Sequence, residues 1–350
     1  MSKFLSERYK DLLPYVPGEQ PQDMQYVKLN TNESPFPPSP YAQRLAREAA
    51  GDLQLYPDPE CKQLREIAAD KFGVDIDEIV FTNGSDEALC FALMAFCGKE
   101  TPVVFADVTY GFYPIAANLT KVSFETKPLK DDYSIDVEDY LSVGKTIIIA
   151  NPNAPTGMLM PVQDIERIVV SNKNNVVIVD EAYIDYGGQS VLPLIKKYDN
   201  LLVCRTFSKS RSLAGGRLGF VVGNKALIAD LNTVRNSFNP YNINRMTMAA
   251  GIGALIDEEY FEKNCATIIK NREFTVQELK RLGFEVLDSE ANFVFAKNKK
   301  ISGKDLYLSL KKKGVLVRYF DKDRLREFVR ITIGAKEQMR ALIEALEELL

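Results

Sequence analysis

Val176-Val-Ile-Val-Asp180-Glu-Ala-Tyr183, followed further along by Leu201-Leu-Val-Cys-Arg205-Thr-Phe-Ser208-Lys209, decides the fold. Each half opens on four apolar residues without polar alternation, as in strands buried on both faces of a parallel sheet. Each then ends in groups that a core rejects: a carboxylate with a tyrosine, and a lysine beside hydroxyls. Such groups emerge at the C-terminal edge of the sheet, where open α/β sheets keep their ligand sites. A helix over 191–198 would return the chain between the two strands.

Working outward, the same rhythm gives strands at 103–106, 122–127, 146–150 and 218–222, with a further helix at 163–170. This predicts an α/β fold, a three-layer sandwich around a mostly parallel sheet. Residues 1–40 are rich in proline and polar groups and read as an arm, with helices after it at 41–50 and 60–72. From about 246 the pattern changes to a long helix (257–282), strands at 284–287, 292–296, 315–319 and 329–333, and a closing helix at 336–350. The expected organisation is an arm (1–40), a large domain (41–245) and a smaller α+β domain (246–350).

Composition narrows the chemistry. The 350 residues carry a net charge of −4 and no histidine. Ser–His and Cys–His nucleophile systems and imidazole metal sites are therefore ruled out. The acidic balance argues against nucleic acid as a partner. No stretch approaches the ~18 apolar residues of a membrane span, and the N-terminus lacks a signal-peptide core. Five cysteines without CxxC spacing read as reduced thiols of a cytoplasmic protein.

Three loops carry candidate chemistry. In Thr206-Phe-Ser208-Lys209-Ser-Arg211 to Arg217, a lysine nucleophile needs burial or cationic neighbours, which Arg211 and Arg217 could supply. Arg217 with Thr206 and Ser208 could also grip a phosphate; the bland alternative is a solvated basic loop. Asp180 with Tyr183 suits a protonated ring nitrogen and a nearby oxygen, against the alternative that Asp180 caps a helix. Asn83-Gly84-Ser85-Asp86 opens a helix whose free N–H groups form an anion site, unless Ser85 or Asp86 merely caps it.

Together with Asn151-Pro-Asn153-Ala154-Pro-Thr-Gly157, these motifs resemble the fold-type-I pyridoxal-phosphate-dependent aminotransferases, including the 29-residue spacing from Asp180 to Lys209 (209 − 180). Leu29-Asn-Thr-Asn-Glu-Ser-Pro35, Tyr56-Pro-Asp-Pro59, Thr109-Tyr-Gly-Phe-Tyr113, Ala291-Asn-Phe-Val294 and Val329-Arg-Ile-Thr-Ile-Gly334 are similar to the histidinol-phosphate aminotransferase branch.

The resemblance implies pyridoxal 5′-phosphate held by Lys209 as a Schiff base, with Lys209 afterwards moving the proton. It implies Asp180 at the ring nitrogen, Tyr183 at the ring oxygen and Tyr110 on the ring face. The phosphate would be held by Gly84, Ser85, Asp86, Thr206, Ser208 and Arg217. Tyr56 would reach a neighbouring subunit's cofactor, which implies a homodimer. Arg330 would clamp a carboxylate; Arg318, Tyr15 and Asn292 would contact the rest of the substrate. Where relatives carry an asparagine before Pro-Thr-Gly, Ala154 stands here, so either Asn153 substitutes or Tyr183 acts alone. The implied reaction is transamination between L-histidinol phosphate and 2-oxoglutarate in histidine biosynthesis. Aromatic amino acid transamination and threonine-phosphate decarboxylation are the alternatives on the same scaffold. A non-catalytic module fits poorly with Lys209 and Asp180 both present, and a Rossmann dehydrogenase fits poorly without GxGxxG after the first strand.

Overall fold

The computed structural model describes residues 2–98 and 100–350; Met1, the first residue of the expected arm, and Lys99 lie outside it. A seven-stranded sheet runs, in spatial order, Ile79–Thr82, Gly219–Gly223, Leu201–Thr206, Val177–Asp180, Thr146–Ala150, Val103–Ala106 and Phe124–Lys127. Gly219–Gly223 is antiparallel to both its neighbours and the other pairs are parallel.

Period-two geometry divides each central strand between two apolar layers. Ile147, Ile149, Val177, Val179, Leu201 and Val203 pack under helices Lys62–Phe72, Val162–Ser171 and Arg245–Ile256. Ile148, Ile178 and Leu202 pack under Ser85–Phe96, Phe112–Thr120 and Lys225–Phe238. Both faces are therefore dry, which is why these strands read as unbroken apolar runs. The edge strand Phe124–Lys127 is largely exposed and correspondingly polar.

A second sheet is antiparallel, in the order Arg318–Tyr319, Phe328–Thr332, Phe293–Asn298, Phe284–Val286. With helices Glu258–Arg281, Gly303–Lys312 and Lys336–Glu347 it encloses its own apolar cluster. The arm is tied to it: Val27–Lys28 pairs in parallel with Val315–Leu316.

Several expectations change. The expected helix at 191–198 is only a 3-10 turn, Leu192–Lys196, because Pro193 sits in its first turn and the segment is short. The expected strand 315–319 is shared, Val315–Leu316 going to the arm and Arg318–Tyr319 to the antiparallel sheet. Helix Phe112–Thr120 was hidden by Pro114, and Arg245–Ile256 by having no polar face. The latter packs on helices Pro40–Ala49 and Lys62–Phe72 of the large sheet. We therefore propose the limit between the two bodies at Asp257, where helix Glu258–Arg281 begins, in place of residue 245. No helix among the described residues is long and apolar enough to cross a membrane.

Candidate active site

The six co-directional strands of the large sheet end on one edge, and the loops leaving five of them line a cavity of about 640 Å³. Lys209, part-buried, reaches into it from the loop after Leu201–Thr206 and donates to the Thr31 carbonyl at 3.2 Å. Its Nζ lies 5.7 Å from the centre of the Tyr183 ring. Burial, and next the charge of Arg330, push the Lys209 ammonium down to about 8.

Asp180 ends its strand buried, accepting from Tyr113 Oη at 2.8 Å and from the Ala182 N–H at 3.2 Å. Burial lifts its carboxyl to about 6 despite those two bonds. The adjacent Glu181 is also buried, but it serves the loop, accepting from Ser190 Oγ and the Val191 N–H beside Arg205. Asp180 thus caps no α-helix; the next element along the chain is a 3-10 turn, Ile184–Tyr186.

Helix Ser85–Phe96 opens on the cavity with Gly84 at its cap (φ 80°) and no side chain satisfying its first N–H groups. Neither Ser85 nor Asp86 is the cap, so the first N–H groups of this turn stay free of side-chain partners among the described residues. The neighbouring strand comes so close that a Cβ on Gly219 would lie 2.6 Å from the Ser85 nitrogen. Arg217 stands over this turn, 3.5 Å from the Asp86 carboxylate, and Tyr110 Oη donates to the other Asp86 oxygen at 3.0 Å. Thr206 Oγ1 donates to Ser208 Oγ at 2.9 Å on the same side. Anion donors and the lysine therefore share one edge of the sheet.

The opposite wall comes from the arm and the antiparallel sheet. Arg330 spans Phe293 and Phe320, its carbon 5.3 and 5.5 Å from their ring centres. It donates to the Asn30 carbonyl at 3.1 Å while its buried Nε has no partner. Arg318, on the strand paired with that of Arg330, donates to the Pro17 and Val16 carbonyls at 3.2 and 3.3 Å. Tyr15 packs edge-on against Tyr110 and Phe112. Among the described residues neither arginine is in an ion pair, although both line the cavity.

The cavity thus gathers Lys209, Asp180, Tyr183, Ser85, Asp86, Tyr110, Thr206, Ser208, Arg217, Arg330, Arg318 and Tyr15. Several sequence candidates stand apart from this lining, Gly84 among them at the helix cap. Asn153 is buried with its amide donating to the Val108 carbonyl and Thr156 and its oxygen accepting from Thr109; Ala154 lines the wall instead. Asn292 lies behind the wall, donating to the Asn32 carbonyl at 3.0 Å. Tyr56 is exposed, stacked on Tyr241 at 4.6 Å between ring centres. Arg211 does not face the lysine: its guanidinium holds the Ala254 carbonyl and lies 3.8 Å from the Phe261 ring centre. The field at Lys209 comes from Arg330 in its place.

Sequence reasoning missed Tyr113, Asn32 and Thr332. Tyr113 left a signal, the aromatic that ends the quoted motif Thr109-Tyr-Gly-Phe-Tyr113. Asn32 and Thr332 lay in quoted motifs (29–35 and 329–334) without being assigned a role.

The aminotransferase class I and II family model matches residues 24–346. The histidinol-phosphate aminotransferase of Brachyspira hyodysenteriae is 48% identical, over 99% of this chain and 99% of its own. That of Clostridium beijerinckii is also 48% identical, covering 100% and 98%. Among solved structures, the histidinol-phosphate aminotransferase from Clostridium acetobutylicum has a TM-score of 0.84 at 28% identity, covering 92% of this chain and 98% of that one. The enzyme from Sinorhizobium meliloti in complex with pyridoxal-5′-phosphate shares the fold, with a TM-score of 0.89 at 24% identity over the whole of both chains.

Proposed function

The chain belongs to the class I and II aminotransferases, and from that premise we propose that it transfers the amino group of L-histidinol phosphate to 2-oxoglutarate with pyridoxal 5′-phosphate as cofactor. One observation carries the choice of substrate: two guanidinium groups without ion-pair partners among the described residues, Arg330 and Arg318, share the lysine's cavity. A donor bearing phosphate and an acceptor bearing carboxylates each bring the anion that such groups bind, and an arginine fork serves both.

The residues present fit the cofactor. Lys209 is held near the neutral form that an amine needs to attack a carbonyl. Asp180, destabilised as an anion by burial, gains from a cationic ring nitrogen. The uncapped N–H groups of Ser85 and Asp86, the Thr206 and Ser208 hydroxyls and Arg217 form a donor set suited to a phosphate. Tyr110 and Tyr183 supply aromatic surface and a phenol beside the lysine. Bound there, the cofactor supplies an electron-withdrawing ring that stabilises charge on the carbon losing its proton. Lys209 Nζ takes that proton and returns it at the neighbouring position. Arg330 and Arg318 orient the substrate, and Tyr15 shields this side of the cavity from water.

The same reading gives Tyr56 a role only in a second copy. The exposed Leu53, Leu55, Tyr56, Tyr241 and Phe238 support a homodimer, being apolar and aromatic groups left at the surface. The free thiols support a reducing cytoplasmic setting.

Absorbance spectroscopy tests the reading. Protein mixed with pyridoxal phosphate should develop a visible band that Lys209→Ala abolishes, and L-histidinol phosphate should bleach it. Bleaching by phenylalanine or tyrosine alone overturns the substrate. Release of carbon dioxide from threonine phosphate overturns the reaction, and absence of a band overturns the cofactor.

A further inference from the structure

Behind the cavity wall, the structure fixes the direction of one hydrogen bond. Asn32 is buried at a positive φ of 56°, a conformation asparagine tolerates better than most residues. Its backbone N–H donates to Thr332 Oγ1 at 3.0 Å. The Thr332 hydroxyl, having accepted there, gives its single proton to Asn32 Oδ1 at 3.1 Å. No other acceptor for that proton lies among the described residues, so the amide oxygen faces Thr332 and the NH₂ faces Tyr183, whose Oη it meets at 3.0 Å. Asn292, fully buried, pins the Asn32 carbonyl from the other side.

With Asn32 donating to the phenol oxygen, the proton of Tyr183 has no acceptor among the described residues and is left for the cavity. Burial holds this phenol above its ordinary value, so it keeps that proton at neutral pH. Ala154 offers no amide here, and that of Asn153 is engaged elsewhere.

We propose that Asn32, oriented by Thr332, is a positioning residue that fixes Tyr183 as a hydrogen-bond donor to an oxygen of the bound cofactor. Since this builds on a cofactor held at Lys209, the wild-type protein must first form a visible band with pyridoxal phosphate. Three separate stretches then meet in one bond: arm, antiparallel sheet and a loop of the large sheet.

The readout is the pH midpoint of the visible band, which reports the proton on Lys209 Nζ in the loaded protein. A hydrogen bond given to an oxygen conjugated with that nitrogen withdraws electron density and makes the proton easier to lose. Removing the bond therefore raises the midpoint. Asn32→Gly deletes the amide while leaving a residue at ease at positive φ. It should raise the midpoint by on the order of one unit, as should Tyr183→Phe. The double variant should go no further than Tyr183→Phe alone. Thr332→Val, which frees the amide to turn over, should move it part of the way, while Thr332→Ser should restore the wild-type value. Thr332→Val also serves should Asn32→Gly fail to fold.

An unchanged midpoint in Asn32→Gly and Thr332→Val overturns the proposal, as does an equal shift with and without the Tyr183 hydroxyl. A wild-type protein that forms no band fails at the cofactor itself, a result distinct from either.

Discussion

The two walls of the cavity are built on different terms. On the large-sheet side, Asp180, Thr206 and Ser208 are held by partners from their own sheet edge and the helix behind it. On the other side, Arg330 and Arg318 rest on backbone carbonyls of the arm. Lys209, at the junction, rests on another arm carbonyl, that of Thr31. A carbonyl is a weaker partner for a guanidinium than a carboxylate or phosphate, so these bonds yield when an anion arrives. The first wall suits a group that stays, and the second a group that comes and goes.

The comparison breaks most severely at Lys209. Lys209→Ala should lower kcat by about 10³- to 10⁴-fold for every donor and acceptor, the upper part of what a proton carrier contributes; steady-state assays with both substrates check it. Arg330→Ala should lower kcat/KM by roughly 10²-fold for donor and acceptor alike, the loss of a charged two-point contact. An effect confined to one of them would mean that Arg330 does not serve both.

The rate of cofactor uptake should rise about tenfold per pH unit below about 8 and level off above it. Only the neutral amine attacks, and its fraction grows until pH passes the lowered pKa; stopped-flow absorbance measures this. A rise continuing towards 10.5 would remove the influence of burial and of Arg330. Arg318→Ala should have the smallest effect, raising KM for the phosphorylated donor about tenfold while leaving that for 2-oxoglutarate nearly unchanged.

The same contrast explains what could be read from sequence. Asp180 and Lys209 stand out because a strand dry on both faces leaves an unbroken apolar run, and a charge at its end is conspicuous. Arg330 lies in a strand of the antiparallel sheet, Phe-Val-Arg-Ile-Thr, and its role rests on resemblance alone. Arg211 misleads because spacing cannot tell which side of a loop a side chain leaves by. Asn32 is invisible because its partners are remote: Thr332 is 300 residues away (332 − 32) and Tyr183 is 151 (183 − 32). Local periodicity says nothing about such contacts.

The pairing of Val27–Lys28 with Val315–Leu316 also sets an order of assembly. The arm's strand leaves the ribosome 288 residues before its partner (315 − 27). The large sheet, with its strands between Ile79 and Gly223, can form before that moment, but the arm has nowhere to dock. Lys209 consequently waits for its arm contact until Val315 and Leu316 have been made. Nascent chains stalled before residue 315 should have an arm that proteases cut readily, and chains extended well past residue 316 should not.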